Sequence, residues 1–495
     1  MSDGAYRMTI GGRWVDGRDH YDVRNPSDRR DVVGQAPCAT KAEITESVEA
    51  ARRAFGNWGR RSILDRAAFL AAAADVVGQR ETELADVVSR EIGKLAPEAL
   101  GEVRKTRQFL SYYASLGRFP TGQILDDVRP SSQVVVRREP RGVVALITPW
   151  NDPVLTAARK LCPALLAGNA VILKPAPEAT LSALALARIF EEAGLPGGVL
   201  NVVTGQGDEV GGWLVDAVGI DAISFTGSTE VGLAIQRAVA GRNVPVQAEM
   251  GGKNTLVVLD DADVAAALDA IVEGAFVQAG QRCTATSRVV VEQKRYDEVL
   301  LGLSDRVSRL RVGSAQDATS QMGPVITDER RDAILAHLDE PGLAGASTLC
   351  QAMALRDPAH LNGTFLSPGL VADVPSSSQL WSSELFGPVL AVCPAAGLSE
   401  AIDLVNDTPY GLAASVFTQD IDAVAEFSAL AEVGCVAVNL PTAGWDVHVP
   451  FGGFKLSGSA AKEQGLGGVD FYSRLKTVAV RTNFRSPRQS DNEER

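Results

Sequence analysis

The sequence predicts an α/β protein organised around parallel sheets, and three observations carry that prediction. From Gly142 onward, short β-branched runs recur, helix-length stretches separate them, and Gly and Pro cluster where the runs end. A parallel strand pair needs a long crossover, so strands alternating with helical segments read as βαβ units. Composition agrees: 495 residues at 45% hydrophobic, 22% charged and 6% aromatic describe a soluble globular chain, long enough for roughly three domains. Disordered, collagen-like and disulfide-scaffold classes are excluded.

The elements follow in order. After a short polar start, Thr40-Lys-Ala-Glu43 has capping-box spacing, and Ile44, Val48, Ala51 and Phe55 recur at helical intervals, so a helix begins there. Apolar-periodic stretches at 63–77 and 84–92 extend this into a helical block over 40–116, ended by Pro120 and Gly122 and expected on one face of a sheet. Strands are expected at 143–147, 170–173, 199–203, 222–225, 244–247 and 255–259. A second alternating region, from about 264 to 449, contains strand-like runs at 289–292 and 433–439 and reads as another α/β domain. Two extended segments, 132–139 and 477–480, belong to neither series and are expected to pair with each other or with another subunit. Residues 484–495 are charged and expected to fray. No internal repeat or low-complexity tract is present.

Charge and cysteine usage narrow the function classes. A formal net charge of −13 opposes attraction to nucleic acid or anionic lipid. The stretch from Met1 to Gly12 lacks a basic region followed by an apolar core, and no run approaches the ~18 apolar residues of a membrane span. Six cysteines (38, 162, 283, 350, 393, 435) form no C-x-x-C pair and the four histidines lie far apart, so no metal site is expected and reduced thiols in a cytoplasmic protein are.

In an open α/β sheet the ligand crevice lies at the carboxyl ends of the strands, which directs attention to the Gly/Pro clusters. Cys283, in Gly280-Gln-Arg-Cys-Thr-Ala, follows an apolar helical run and precedes a strand. A lone cysteine is commonly a small buried hydrophobe, but Arg282, Gly280 and Thr284 suit an electropositive, approachable thiol. Glu249, in Glu-Met-Gly-Gly-Lys at a strand end, and Glu384, in Glu-Leu-Phe-Gly-Pro, read either as salt-bridge or cap residues or as functional carboxylates. A cysteine nucleophile that forms an acyl intermediate needs a base to activate water, and a carboxylate would serve. Asn151 reads as a turn residue before Pro153 or as an amide donor to an oxyanion. Lys174, past its strand, could reach a ribose or phosphate, and Gly227-Ser-Thr-Glu-Val-Gly suits pyrophosphate at a helix N-terminus although it is not G-x-G-x-x-G.

Together, and in this order, Pro149-Trp-Asn, Lys174-Pro, Phe225-Thr-Gly-Ser, Glu249-Met-Gly-Gly-Lys, Gly280-Gln-Arg-Cys, Glu384-Leu-Phe-Gly-Pro, Asn406-Asp-Thr-Pro-Tyr-Gly-Leu and Pro450-Phe-Gly-Gly-Phe-Lys-Leu-Ser-Gly resemble the aldehyde dehydrogenase superfamily over nearly the whole chain. The resemblance implies a Rossmann-like NAD(P)-binding domain (1–120 and 141–250), an α/β catalytic domain (251–466) and a small β oligomerisation extension with tail (121–140 and 467–495), assembled as a homodimer or homotetramer. It implies that Cys283 attacks the aldehyde, that Asn151 and the Cys283 backbone amide hold the oxyanion, and that Glu249 activates water to hydrolyse the thioester. Lys160 and Glu463 resemble the proton-relay pair. Trp150 and Lys174 look like adenosine-ribose contacts, Gly207, Gly227 and Ser228 like adenine and pyrophosphate contacts, and Glu384 with Phe386 like holders of the nicotinamide end.

One departure bears on the cofactor. NAD-preferring relatives often carry a glutamate three residues after the lysine, and here that position is Pro177, with Glu178 next. NADP use therefore stays open, with a lean to NAD. Glu249 favours hydrolysis to a free acid over acyl transfer to coenzyme A. For the substrate, Asp152 and Arg282 are the tunnel candidates: an arginine would bind a distal carboxylate, an aspartate would favour cationic or hydroxylated aldehydes, and the two could neutralise each other. The stretches at Gly280, His448-Val-Pro-Phe-Gly-Gly and Glu463-Gln-Gly are similar to the 2-oxoglutarate-semialdehyde group, which favours an acidic semialdehyde. The alternatives are a broad aliphatic or aromatic aldehyde dehydrogenase and a non-enzymatic scaffold, which would need none of Cys283, Glu249, Asn151 and Lys174.

Overall fold

The computed structural model describes residues 6–119 and 122–481. The chain opens with β1 (Met8–Ile10), β2 (Arg13–Val15) and a long hairpin, β3 (Asp19–Asn25) and β4 (Asp28–Cys38), none of which the polar start announces. Helices α1 (Lys41–Trp58), α2 (Ile63–Gln79), α3 (Glu81–Ile92) and α4 (Ala96–Ser115) follow. The capping box forms as expected: Thr40 accepts from the Glu43 amide, and Glu43 accepts from the Thr40 amide at 2.7 Å. Then come β5 (Gly122–Asp126), β6 (Ser132–Pro140), β7 (Val143–Thr148), α5 (Pro153–Ala167), β8 (Ala170–Pro175), α6 (Thr180–Glu192), β9 (Leu200–Val202), α7 (Gly212–Asp216), β10 (Ala222–Thr226), α8 (Thr229–Val239) and β11 (Val246–Glu249).

These strands build a seven-stranded sheet in the order β11-β10-β7-β8-β9-β1-β2, parallel from β11 to β9 and antiparallel at β1 and β2. Alternating residues of its central strands face two cores. Val143, Ala145, Ala170 and Ile172 meet Ile44, Val48 and Ala51 of α1, whereas Val144, Leu146, Val171 and Leu173 meet α5 and α6, behind which α2 to α4 stack. The helical block therefore does not lie on one face. Helix α1 takes one side and α2 to α4 the other, because both faces of a parallel sheet are apolar and both need cover.

The second sheet uses β12 (Asn254–Val258), β13 (Thr286–Glu292) after helix α9 (Val264–Phe276), β14 (Ser347–Cys350), β15 (Gly369–Ala372) and β16 (Val389–Ala395). A short β17 (Tyr410–Gly411) precedes its last members, β18 (Ala413–Phe417) and β19 (Cys435–Val438). The order is β14-β15-β16-β13-β12-β18-β19, parallel except at β14. The run at 255–259, expected with the first strand series, pairs instead with β13 and β18. Only the four residues from Met250 to Lys253 join β11 to β12, so the sequence passes from one sheet to the other with no change of texture. The run expected at 244–247 begins later, at Val246, because Asn243 is left-handed (φ 54°) and Pro245 has no N–H to give a ladder.

The two unassigned segments pair with each other. The strand β21 (Ser473–Arg481), which follows the two-residue β20 (Phe454–Lys455), runs antiparallel to β6 from Ser473↔Pro140 to Arg481↔Ser132, and β5 completes a three-stranded sheet. Ile124, Leu125, Leu475 and Val480 are exposed on it. The expectation for 484–495 lies outside the described residues. Among the described residues no helix is long and apolar enough to cross a membrane, and no cluster of His, Cys, Asp or Glu could hold a metal ion.

Candidate active site

A cavity of about 840 Å³ opens where the carboxyl ends of β7, β10 and β11 meet the loop between α9 and β13. Trp150, Asn151, Asp152, Gly227, Ser228, Arg282, Cys283, Glu384 and Phe386 line it. Glu249, Lys160, Lys174, Gly207 and Glu463 are not among the lining residues; they stand behind the wall or beside it.

The thiol is presented by a constrained loop. After α9 the backbone turns left-handed at three successive residues, Gln278 (φ 56°), Ala279 (φ 54°) and Gly280 (φ 67°). At Gly280 a Cβ would lie 2.5 Å from the Gly387 carbonyl oxygen and 2.8 Å from that of Ala275, so glycine is required there. The Asn254 side chain donates to the Cys283 carbonyl at 2.8 Å, which ties the loop to the start of β12. Burial pushes the Cys283 thiol up to about 12; Arg159 opposes this, while Asp152, Glu384 and Glu249 reinforce it. The electropositive setting expected from Arg282 is thus corrected: the cation that acts on the thiol is Arg159. The Asn151 amide donates to the Gln281 carbonyl at 3.0 Å and, with two N–H groups, keeps a second donor.

Behind the thiol lies a cluster of buried charge. Glu249 is 2% exposed and neither carboxylate oxygen has a hydrogen-bond partner. Burial and then the neighbouring Glu463 raise it well above the ordinary carboxylate range, against Lys160, Lys462 and Arg159. A Cβ on Gly452 would stand 2.6 Å from Glu249 Oε1, so the glycine leaves the carboxylate its room. Lys160, fully buried on α5, donates to Ser224 Oγ at 2.8 Å and to Glu463 Oε1. The sequence reading missed Arg159. Its guanidinium stacks over Phe451 (5.0 Å) and Phe109 (5.8 Å) and lies 3.8 Å from Glu463 Oε2. The available signal was that Arg159 and Lys160 are the only charged residues of α5.

The opposite end of the cavity is built mainly from backbone. Ser228 caps α8 by accepting from the Val231 amide at 3.4 Å, and a Cβ at Gly227 would strike the Phe225 ring at 2.6 Å, so the helix N-terminus reaches the cavity bare. Such a terminus suits a pyrophosphate. Lys174, 3% exposed, donates to the Pro175 carbonyl at 3.0 Å and is lowered by burial to about 8. Gly207 opens the turn Gly207–Gly211. Glu178, not Pro177, supplies a carboxylate to the cavity wall. Glu384 accepts from the Gly252 amide at 2.9 Å, and burial raises it to about 7; a Cβ on Gly251 would lie 2.0 Å from its Oε2. Phe386 (φ 53°) meets Trp150 edge-on at 5.5 Å. These features fit a dinucleotide: a bare helix terminus, buried cations and carboxylates, and glycines where any side chain would fill the cradle.

A helix N-terminus suited to a nucleotide, on one cavity with a half-buried thiol backed by a buried carboxylate, fits the class of nucleotide-dependent oxidoreductases. The aldehyde dehydrogenase family profile matches residues 14–478. The chain is 37% identical, over 96% of its length and 98% of the relative's, to the alpha-ketoglutaric semialdehyde dehydrogenase of Bacillus subtilis. It is 38% identical, over 95% and 98%, to the alpha-ketoglutarate semialdehyde dehydrogenase of Haloferax volcanii. Among solved structures it matches Staphylococcus aureus betaine aldehyde dehydrogenase in complex with NAD+, with a TM-score of 0.94, 31% identity and coverage of 98% and 97%. The chain belongs to the aldehyde dehydrogenase family, and it is an NAD(P)-dependent enzyme that oxidises an aldehyde to a carboxylic acid.

Proposed function

We propose that the substrate is an aldehyde carrying a distal carboxylate, of the 2-oxoglutarate semialdehyde type. The supporting observation is that Lys105, Arg159 and Arg282 line the same cavity as Cys283, with a fourth cation, Arg330, over the Phe386 ring. Lys105 is lowered by burial first and then by Arg159, against Asp446 and Asp152. Asp152, the one tunnel aspartate, is already paired with Lys94 at 2.5 Å, so it offers little charge to a cationic aldehyde.

In this reading Cys283, relieved of its proton, attacks the carbonyl carbon, and the second Asn151 N–H and the Cys283 backbone N–H receive the oxyanion. When bound, the cofactor supplies the hydride acceptor. Trp150, Lys174, Gly207, Gly227 and Ser228 would hold its adenosine and pyrophosphate, and Glu384 and Phe386 its nicotinamide end. Glu249 then takes a proton from water, which displaces the thiolate to release the acid, and the proton leaves through Lys160 and Glu463. Glu178 restores a carboxylate near the adenosine ribose and favours NAD.

In the same reading residues 1–120 and 141–250 serve the nucleotide, 251–466 catalysis, and 121–140 with 467–495 assembly, a division that the separate sheets support. The exposed apolar residues of the β5-β6-β21 sheet support a homodimer or homotetramer. All six cysteines are free thiols, which suits the cytoplasm.

Steady-state kcat/KM with carboxylate-bearing and neutral aldehydes of equal length tests the substrate class. The acidic aldehyde should lead by at least about tenfold, and Arg282→Met, at a residue that lines the cavity without acting on the thiol, should cost it about 10- to 100-fold, as expected for one charge-assisted contact. The neutral aldehyde should lose less than about threefold. A ratio near one in the parent enzyme would support a permissive tunnel instead.

A further inference from the structure

Asp152 does not behave as a simple tunnel residue. Its Oδ1 accepts from Lys94 Nζ at 2.5 Å and from Gln278 Nε2 at 3.3 Å. Lys94 is 3% exposed and also donates to Glu102 Oε2 at 2.6 Å. The other oxygen of Glu102 accepts from the Val154 and Leu155 amides at 2.9 and 3.1 Å, which caps α5 directly after Asp152. One buried ammonium thus sets both the start of α5 and the orientation of the Asp152 carboxylate.

Gln278 is the first of the three left-handed residues that lead to Cys283. A non-glycine residue held there is strained and persists only when its surroundings over-determine it. Those surroundings are specific. The Gln278 amide donates to Glu98 Oε1 at 2.8 Å, its side chain donates to Asp152, and its carbonyl accepts from Gln281 Nε2 at 3.1 Å. Gln281 in turn receives Asn151 on its carbonyl, so the thiol loop and the amide donor are moored by one network.

We infer that Lys94, Asp152 and Gln278 form a positioning chain for the nucleophile: the buried ammonium fixes the aspartate, and the aspartate holds Gln278 in the strained turn that aims Cys283 into the cavity. None of the three touches the reacting atoms. The inference rests on Cys283 being the nucleophile, a reading that would fail separately if Cys283→Ser kept its turnover.

The chain is tested by the rate at which iodoacetamide alkylates Cys283, followed by peptide mass spectrometry, in Asp152→Leu, Gln278→Met and the double variant. Both substitutions are tolerable for folding: Lys94 keeps Glu102 when Asp152 is lost, and Gln278→Met conserves volume. Thermal melting and NAD binding by intrinsic fluorescence verify that the variants are intact. Charge alone makes the opposite prediction for Asp152→Leu, because Asp152 disfavours the thiolate, and removing it would speed alkylation. The positioning chain predicts that each single variant slows alkylation at least fivefold and that the double is within twofold of the slower single. Rates within twofold of the parent, faster rates, or effects that multiply would overturn the inference.

Discussion

The two ends of the cavity are made differently. At the nucleotide end the cavity wall is largely backbone and glycine: Gly227 and Ser228 at the start of α8, and Gly251 beside Glu384. The thiol end is instead backed by side chains whose charges are buried together, Lys94 with Glu102 and Asp152, and Lys160 with Glu463, Glu249 and Arg159. Backbone sites depend on glycine placement and tolerate side-chain change, because each N–H is present whatever the residue. Buried charge clusters depend on pairing, because a member left with no partner sits in a medium that punishes it.

The largest expected effect is at the thiol end. Cys283→Ala should lower kcat by at least about 10⁴-fold, as for other covalent nucleophiles, with NAD affinity measured by fluorescence unchanged within about threefold. A smaller but diagnostic effect is the pH profile. The Cys283 thiol is pushed up to about 12 and Glu249 is raised above the ordinary carboxylate range, and in the proposed mechanism both lose a proton to act. Each is more fully protonated at low pH, so kcat/KM should rise as pH increases from 6 to 9. A flat profile would contradict the burial that raises them. The smallest effect belongs to the nucleotide end: Ser228→Ala removes one cap, should cost about 1 kcal/mol of stability, and should weaken NAD binding no more than a few-fold by titration.

The same contrast explains what could be read in the sequence. Gly227-Ser228 and the Gly251-Gly252 pair were legible because glycine spacing reports backbone geometry directly. The strand at 143–147 and the capping box at Thr40 were legible because their signals are local. The side of the sheet that α1 takes was not, since an apolar stripe does not say which of two apolar faces it will cover. From texture alone the sheet to which β12 belongs was not legible either, because Gly251-Gly252-Lys253 crosses between sheets without a composition break; the boundary at 250/251 came from the family resemblance. Arg159 and Lys94 escaped notice for a further reason. A cation on a helix or loop ordinarily faces water, and only the packing of Phe109 and Phe451 around Arg159 and the pairing of Lys94 with Glu102 show that these do not.

The central claim is that the thiol end carries an acyl group from oxidation to hydrolysis, with Glu249 serving only the second step. The most direct measurement mixes Glu249→Gln rapidly with NAD and aldehyde and follows reduced nicotinamide, then determines the mass of the Cys283 peptide. The claim predicts a burst of one reduced nicotinamide per site, turnover slowed by about 10²- to 10⁴-fold as for loss of a general base, and an acyl adduct on Cys283. A variant that shows no burst, or an acyl group on any other residue, would contradict it.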